Sequence, residues 1–151
     1  MKKILFVLSG SVIVALVLAA CGAPSASLTG TTWKLTSYGR VDSLSPVVAD
    51  SEGTITFGTE GKLTGVGACN RFEGDYTVKG NQIVLSPLTW DVGGNKFCPE
   101  PQMSQESGVW DVLQGTVDFK IEGNTLTVTR PLTETDALVL VFEATANNAK
   151  N

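Results

Sequence analysis

Apolar and polar residues alternate along most of this chain. Thr54-Ile55-Thr56-Phe57 places an apolar side chain at every second position, and Val117-Asp118-Phe119-Lys120-Ile121-Glu122 alternates apolar and charged without a break. A period of two marks strands with one face in a core and one in water. Thr125-Leu126-Thr127-Val128-Thr129 repeats the pattern, and Thr32 to Tyr38 is rich in aromatic and β-branched residues that suit a first strand. Thr59-Glu60-Gly61, Lys79-Gly80-Asn81 and Gly123-Asn124 read as hairpin turns. They join Thr54–Phe57 to Lys62–Gly65, Gly74–Val78 to Gln82–Leu85, and the last alternating pair. Leu138 to Phe142 is apolar on both faces, as a central strand would be.

These registers predict a core of Trp33, Leu35, Ile55, Phe57, Leu63, Ile83, Leu85, Val117, Phe119, Ile121, Leu126, Val128, Leu138, Leu140 and Phe142. Arg40–Glu52 and Ser86–Pro101 break the rhythm and read as loops. After Pro101, a good residue for a first helical turn, Met103, Val109 or Trp110, and Leu113 recur at near-helical spacing. One helix of about 12–14 residues ending at Gly115 is predicted, adding Trp110 and Leu113 to the core. Ser107 and Gly108 weaken it but permit close backbone packing.

The densest feature is Gly65-Val66-Gly67-Ala68-Cys69-Asn70-Arg71-Phe72-Glu73-Gly74-Asp75-Tyr76. Glycine serves where a backbone takes positive φ or approaches another backbone, and asparagine tolerates the left-handed region. The stretch reads as a sharply bent corner carrying Cys69, and a ligand site is the weaker alternative.

The first residues change the picture from fold to location. Lys2 and Lys3 precede an almost wholly apolar run from Ile4 to Leu18, which leads into Leu18-Ala19-Ala20-Cys21. A positive start, a short apolar segment and small residues before a cut describe a secretory signal peptide, and the run falls short of a spanning helix. The last four residues resemble the lipobox of bacterial lipoproteins, in which the cysteine becomes the lipidated first residue. That resemblance implies a signal peptide over 1–20, lipidation at Cys21, a membrane partner through it, and a flexible tether over 21–27. A domain over 28–144 and a disordered tail over 145–151 complete the organisation.

Losing Lys2 and Lys3 with the signal takes the basic residues from 11 to 9 against 15 acidic ones, a formal charge of −6. Such a balance argues against nucleic acid as a partner. The chain has no histidine, which removes Ser-His-Asp and Cys-His catalysis and the commonest metal ligand. Two cysteines remain beyond Cys21, and in an exported protein an even pair reads first as a Cys69–Cys98 disulfide. Two cysteines without histidine are too few for a zinc site.

The order of features resembles the META domain family, which includes heat-inducible HslJ-type envelope lipoproteins. The residues that carry it are Leu28-Thr29-Gly30-Thr31-Thr32-Trp33-Lys34-Leu35, then Ile55-Thr56-Phe57 with Gly61-Lys62-Leu63-Thr64-Gly65, then Gly67 to Tyr76 and Cys98. Trp110-Asp111-Val112-Leu113 and Gly123 to Val128 follow. The chain departs from the pattern in a longer approach to its second cysteine, from Thr89 to Phe97. The resemblance implies a mainly β fold: a small antiparallel barrel-like sheet of about eight strands with one α-helix packed against it. It implies no catalytic residues and no cofactor.

Three constellations remain. Glu73 and Asp75 share a strand face, which reads as a solvated face before an acid–base pair. Trp90 and Trp110 either line an apolar pocket between helix and sheet, or serve as a loop cap and a core residue. Asn70 either reads a ligand or bonds its own backbone. Asn70, Trp90 and Trp110 are therefore the candidate binding residues, with no metal ligands. The expectation is a monomeric, non-enzymatic, lipid-anchored module on the extracytoplasmic side of a cell envelope. It would bind a protein or hydrophobic partner in stress tolerance. A pilot- or inhibitor-type lipoprotein acting on one envelope protein is the alternative, and a hydrolase or metal-dependent enzyme the remoter one.

Overall fold

The structure, a computed structural model, describes residues 25–90 and 97–145. The signal peptide, Cys21, most of the Thr89–Phe97 approach and nearly all of the C-terminal tail lie outside the described residues. The strands are β1 (Thr32–Arg40), β2 (Ser43–Pro46), β3 (Thr54–Phe57), β4 (Lys62–Val66), β5 (Arg71–Lys79), β6 (Gln82–Leu85), β7 (Thr89–Trp90), β8 (Thr116–Glu122), β9 (Thr125–Pro131) and β10 (Ala137–Ala144). The helix α1 (Glu100–Val112) falls between β7 and β8.

Eight of these strands close an antiparallel barrel in the order β10-β9-β8-β6-β5-β4-β3-β1, because β1 also pairs with β10 from Trp33↔Ala144 to Arg40↔Leu138. Closure satisfies strand edges that would otherwise recruit other chains. Two short strands lie off this ring. β2 pairs with the second half of β1, and β7 pairs with β5 at Phe72↔Trp90 and Glu73↔Thr89. Both fall in stretches expected as loops, since β2 is exposed throughout and β7 has only two residues, so neither shows a period of two.

The strand alternation sets the interior. Trp33, Ile55, Phe57, Leu63, Ile83, Leu126, Val128 and Leu140 are almost fully buried, joined by Leu35, Leu85, Val117 and Phe142. Phe119, Ile121 and Leu138 pack against this core but stay half-buried. For β8 the reason is register: β6 pairs only with Thr116 to Asp118, so Phe119 and Ile121 run past the end of their neighbour. One strand breaks its alternation. Thr36 bulges between Leu35↔Phe142 and Ser37↔Val141, and its hydroxyl donates to Val141 O at 3.0 Å. The extra residue returns Tyr38 to the side of Leu140.

Glycines take positive φ in the hairpin turns, at Gly61, Gly80 and Gly123, and not in the Gly65–Gly74 corner. Here the expectation is half right: the corner's glycines are needed for close approach alone. A Cβ on Gly65 would overlap the Phe72 ring and the Thr54 carbonyl, one on Gly67 would lie 2.8 Å from Trp90 and 2.9 Å from Glu106, and one on Gly74 would lie 2.5 Å from Leu88. Gly65 and Gly74 sit within paired strands, opposite Phe72 and Leu63.

The helix covers one end of the barrel. It packs against β10, β1 and β9, and Gly108 lets it lie on the Tyr38 ring, where a Cβ would come within 2.7 Å. Pro101 stands in its first turn as expected. The buried face keeps Val109 and Leu113 of the predicted positions but not Met103 or Trp110. Gln105, Val109 and Val112 turn inward with Leu113, while Met103 is 41% and Trp110 42% exposed. Trp110 is therefore not a core residue.

Candidate functional site

The reason for the helix's rotation is Gln105, which is wholly buried. Its Oε1 accepts from Val48 N at 2.8 Å and Ser51 Oγ at 3.0 Å, and its Nε2 donates to Gly67 O at 3.0 Å and Glu52 O at 3.3 Å. A buried amide with its bonds made fixes orientation without a desolvation penalty. It ties α1 to the Val48–Glu52 segment and to the glycine corner.

One residue on, Glu106 completes the same attachment. Its Oε2 accepts from Asn70 N at 3.0 Å and Cys69 N at 3.3 Å, and its Oε1 accepts from Asn70 Nδ2 at 2.8 Å. Cys69 is bonded to Cys98, with Cα atoms 6.4 Å apart, inside the range a disulfide requires. Asn70 Nδ2 also lies 3.5 Å from Cys98 Sγ. Carboxylate, amide and disulfide thus clamp the corner to the start of the helix. Cys69, Cys98 and Glu106 offer ligand atoms within 4.8 Å of one another. The sulfurs are joined and the carboxylate already accepts three N–H groups, so the donor set is committed to structure. Asn70 is buried in this latch.

The two candidate tryptophans do come together. Trp90 stacks on Phe72 with ring centroids 4.7 Å apart, and Trp110 meets Trp90 edge-on at 5.1 Å and 63°. Trp90 Nε1 is buried and meets no acceptor among the described residues. Trp110, at the outer end of this row, overhangs a depression of about 400 Å³ lined by Leu85, Pro87, Leu88, Leu113 and Gly115, with Ser86 and Gln114 at its polar edge. The volume lies in the range of small-molecule and side-chain pockets, and the lining is mainly apolar. Its floor is rigid. Leu85 N donates to Gly115 O at 2.7 Å, and Ser86 bridges to β5 through its N–H to Asp75 O at 3.0 Å and its Oγ from Asp75 N at 2.9 Å.

Glu73 and Asp75 face water, and Asp75 pairs with Lys62 at 2.5 Å. That hydrogen bond and charge raise the Lys62 ammonium above its ordinary pKa of 10.5. The pair is a solvated strand face. Sequence reasoning reached both tryptophans but missed Gln105, Glu106, Leu88 and Pro87. Nothing in a helical Gln-Glu dipeptide or in a Ser-Pro-Leu loop marks them without the fold.

Comparison with known proteins agrees with this architecture. A family model described as META domain matches residues 26–146. An NMR structure of a protein from Burkholderia xenovorans superposes with a TM-score of 0.59 at 20% identity, covering 79% of this chain and 84% of that one. A second NMR structure gives a TM-score of 0.57 at 19% identity, covering 75% and 87%. At these identities the likeness is one of fold. No curated protein matches the chain.

Proposed function

Since the chain belongs to the META domain family, we propose that it is a non-enzymatic, lipid-anchored cell-envelope protein that seats an apolar side chain of a protein partner beneath Trp110. The observation that carries this is the exposed Trp110 beside a preformed apolar depression. Exposed aromatic anchors next to well-packed apolar pockets are where protein contacts concentrate their energy. An apolar groove beside Trp110 supports a pilot-type use. Support for a non-enzymatic role comes from the chain's lack of histidine and from carboxylates that are either solvated or committed to the latch. Support for the anchor is the Leu18-Ala19-Ala20-Cys21 box, and a place in envelope stress tolerance follows from the family resemblance.

A paired measurement tests the binding site. An environment-sensitive apolar dye such as anilinonaphthalene sulfonate should bind the wild type and lose that binding in Trp110→Asp, with the far-ultraviolet spectrum unchanged. A partner captured from envelope fractions should be lost with the same substitution. Capture of the same proteins by both forms would overturn the site. The anchor is tested separately: Cys21→Ser should abolish fatty-acid labelling, and unchanged labelling would sink the lipoprotein reading.

A further inference from the structure

The two ends of the barrel differ, and strand direction places every feature on one or the other. One end carries the β3–β4, β5–β6 and β8–β9 turns, including Gly61, Gly80 and Gly123. The N-terminal segment enters there: Ala26 N donates to Gly123 O at 2.8 Å, Gly30 N donates to Phe57 O at 2.8 Å, and Leu28 is buried with its carbonyl accepting from Trp33 Nε1 at 3.1 Å. The last described residue is docked there too, through Thr145 N to Thr32 O at 2.9 Å. The opposite end holds α1, the disulfide-linked corner and the depression beneath Trp110.

We infer that the domain stands on its membrane by the end bearing Ala26 and the Gly123 turn, so that the Trp110 depression faces away from the lipid. The inference rests on lipidation at Cys21. Ala26 lies five positions after Cys21, and a fully extended chain covers only about 18 Å over that interval. Roughly 6 Å of this is taken up in crossing the head-group layer. The whole of β8, which has seven residues, separates Gly115 in the depression from Gly123 at the docked end, a strand length of about 23 Å. The fixed entry of the chain therefore holds one end at the surface and the other above it.

Surface chemistry agrees. At the docked end, exposed charges come in opposite-sign pairs, Lys120 bonded to Glu122 at 2.8 Å and Lys79 offset by Glu60 of another turn. Such pairs add no net repulsion from anionic head groups to that of an acidic domain. Of the seven exposed large apolar residues among those described, Phe97, Met103, Trp110, Val41, Leu44 and Leu132 lie toward the helix-covered end, and Val78 alone lies by the β5–β6 turn at the docked end. The former are placed for a partner in the aqueous compartment, not for the acyl chains of the anchoring bilayer.

The test uses the full-length lipidated protein in phosphatidylcholine vesicles, with and without a nitroxide on the lipid head group. The indole introduced by Asn124→Trp should lose emission in nitroxide vesicles. Thr59→Trp, in the β3–β4 turn, serves as a second reporter should the first disturb its turn. Replacing Trp110 with Phe should leave the quenched fraction of the native emission unchanged. Lengthening the tether between Gly22 and Ser25 by about 20 Gly/Ser residues, enough for free tumbling, should abolish the Asn124→Trp quenching. Protein that floats with the vesicles but shows quenching at Trp110, or none at either turn, overturns the orientation alone. Protein that does not float overturns the lipidation reading and the orientation with it.

Discussion

At the scale of single residues, Glu106 and the corner glycines decide how the cysteine stretch is built. Glu106→Ala would remove the carboxylate that accepts from Cys69 N, Asn70 N and the Asn70 amide. With part of that set reaching water, we expect a loss of about 2–3 kcal/mol in urea melts of the oxidised protein. Glu106→Gln, which keeps an acceptor oxygen, should lose less. Gly65→Ala drives a methyl into the Phe72 ring and the Thr54 carbonyl, and backbone on one side cannot yield. It should destabilise by more than about 2 kcal/mol. Gly80→Ala meets nothing within 4 Å and bears only the strain of φ +62°, about 1 kcal/mol. The ordering of these two melts separates close approach from backbone angle as the reason for glycine. Lys62 offers a pH readout. Its raised pKa means that the Asp75 pairing is fully present below 10.5 and fades as pH climbs through the folded value. Asp75→Asn should return the Lys62 Nζ titration to its ordinary position by NMR, with little change in stability because both side chains are solvated.

At the scale of elements, α1 shows where sequence patterning succeeds and where it stops. Its existence, its Pro101 start and its approach through Gly108 were all legible, because Pro and Gly act through local sterics. Its facing was legible in part. Apolar periodicity pointed to Met103, Val109 or Trp110, and Leu113; Val109 and Leu113 are buried, but Met103 and Trp110 are not, and Gln105 joins the inward row because only tertiary partners make a glutamine a core residue. The strands behave likewise. Trp33, Ile55, Phe57 and Leu63 follow from alternation, whereas Phe119 is half-buried because β6 stops short of it, which no local pattern contains. The site was half legible for the same reason: the tryptophans are chemically conspicuous, and the Leu85–Leu88 floor is ordinary sequence until β6 and α1 converge. Three substitutions check this facing. Phe57→Ala should lose about 3–5 kcal/mol, Phe119→Ala about half as much, and Trp110→Ala within about 1 kcal/mol. Replacing both Cys69 and Cys98 by Ser releases the tie between corner and helix across 29 residues, about 3–4 kcal/mol on the chain-entropy account.

At the scale of the whole molecule, the barrel is closed by its two ends. β1 and β10 are the first and last strands among the described residues, yet they pair along nearly their full length, and residues from both lie in one buried cluster. No subset of the chain can complete the ring, so closure belongs to the final cooperative step rather than to any hairpin. Local opening at this seam would expose Trp33, Leu35, Leu140 and Phe142 together, all almost fully buried. That opening is as costly as global unfolding. The seam's backbone amides should therefore exchange with deuterium only through global unfolding, with protection equal to the stability from urea melts. By contrast, β2 pairs on one side and is exposed throughout. Its amides should exchange faster by several orders of magnitude, through local fraying. Native-state hydrogen exchange resolves the two. If Val139 and Val141, whose backbone faces β1, exchanged at the rate of the β2 amides, the barrel would be an open sheet in solution, and the end-to-end pairing that fixes both the Trp110 depression and the chain's point of entry would not hold.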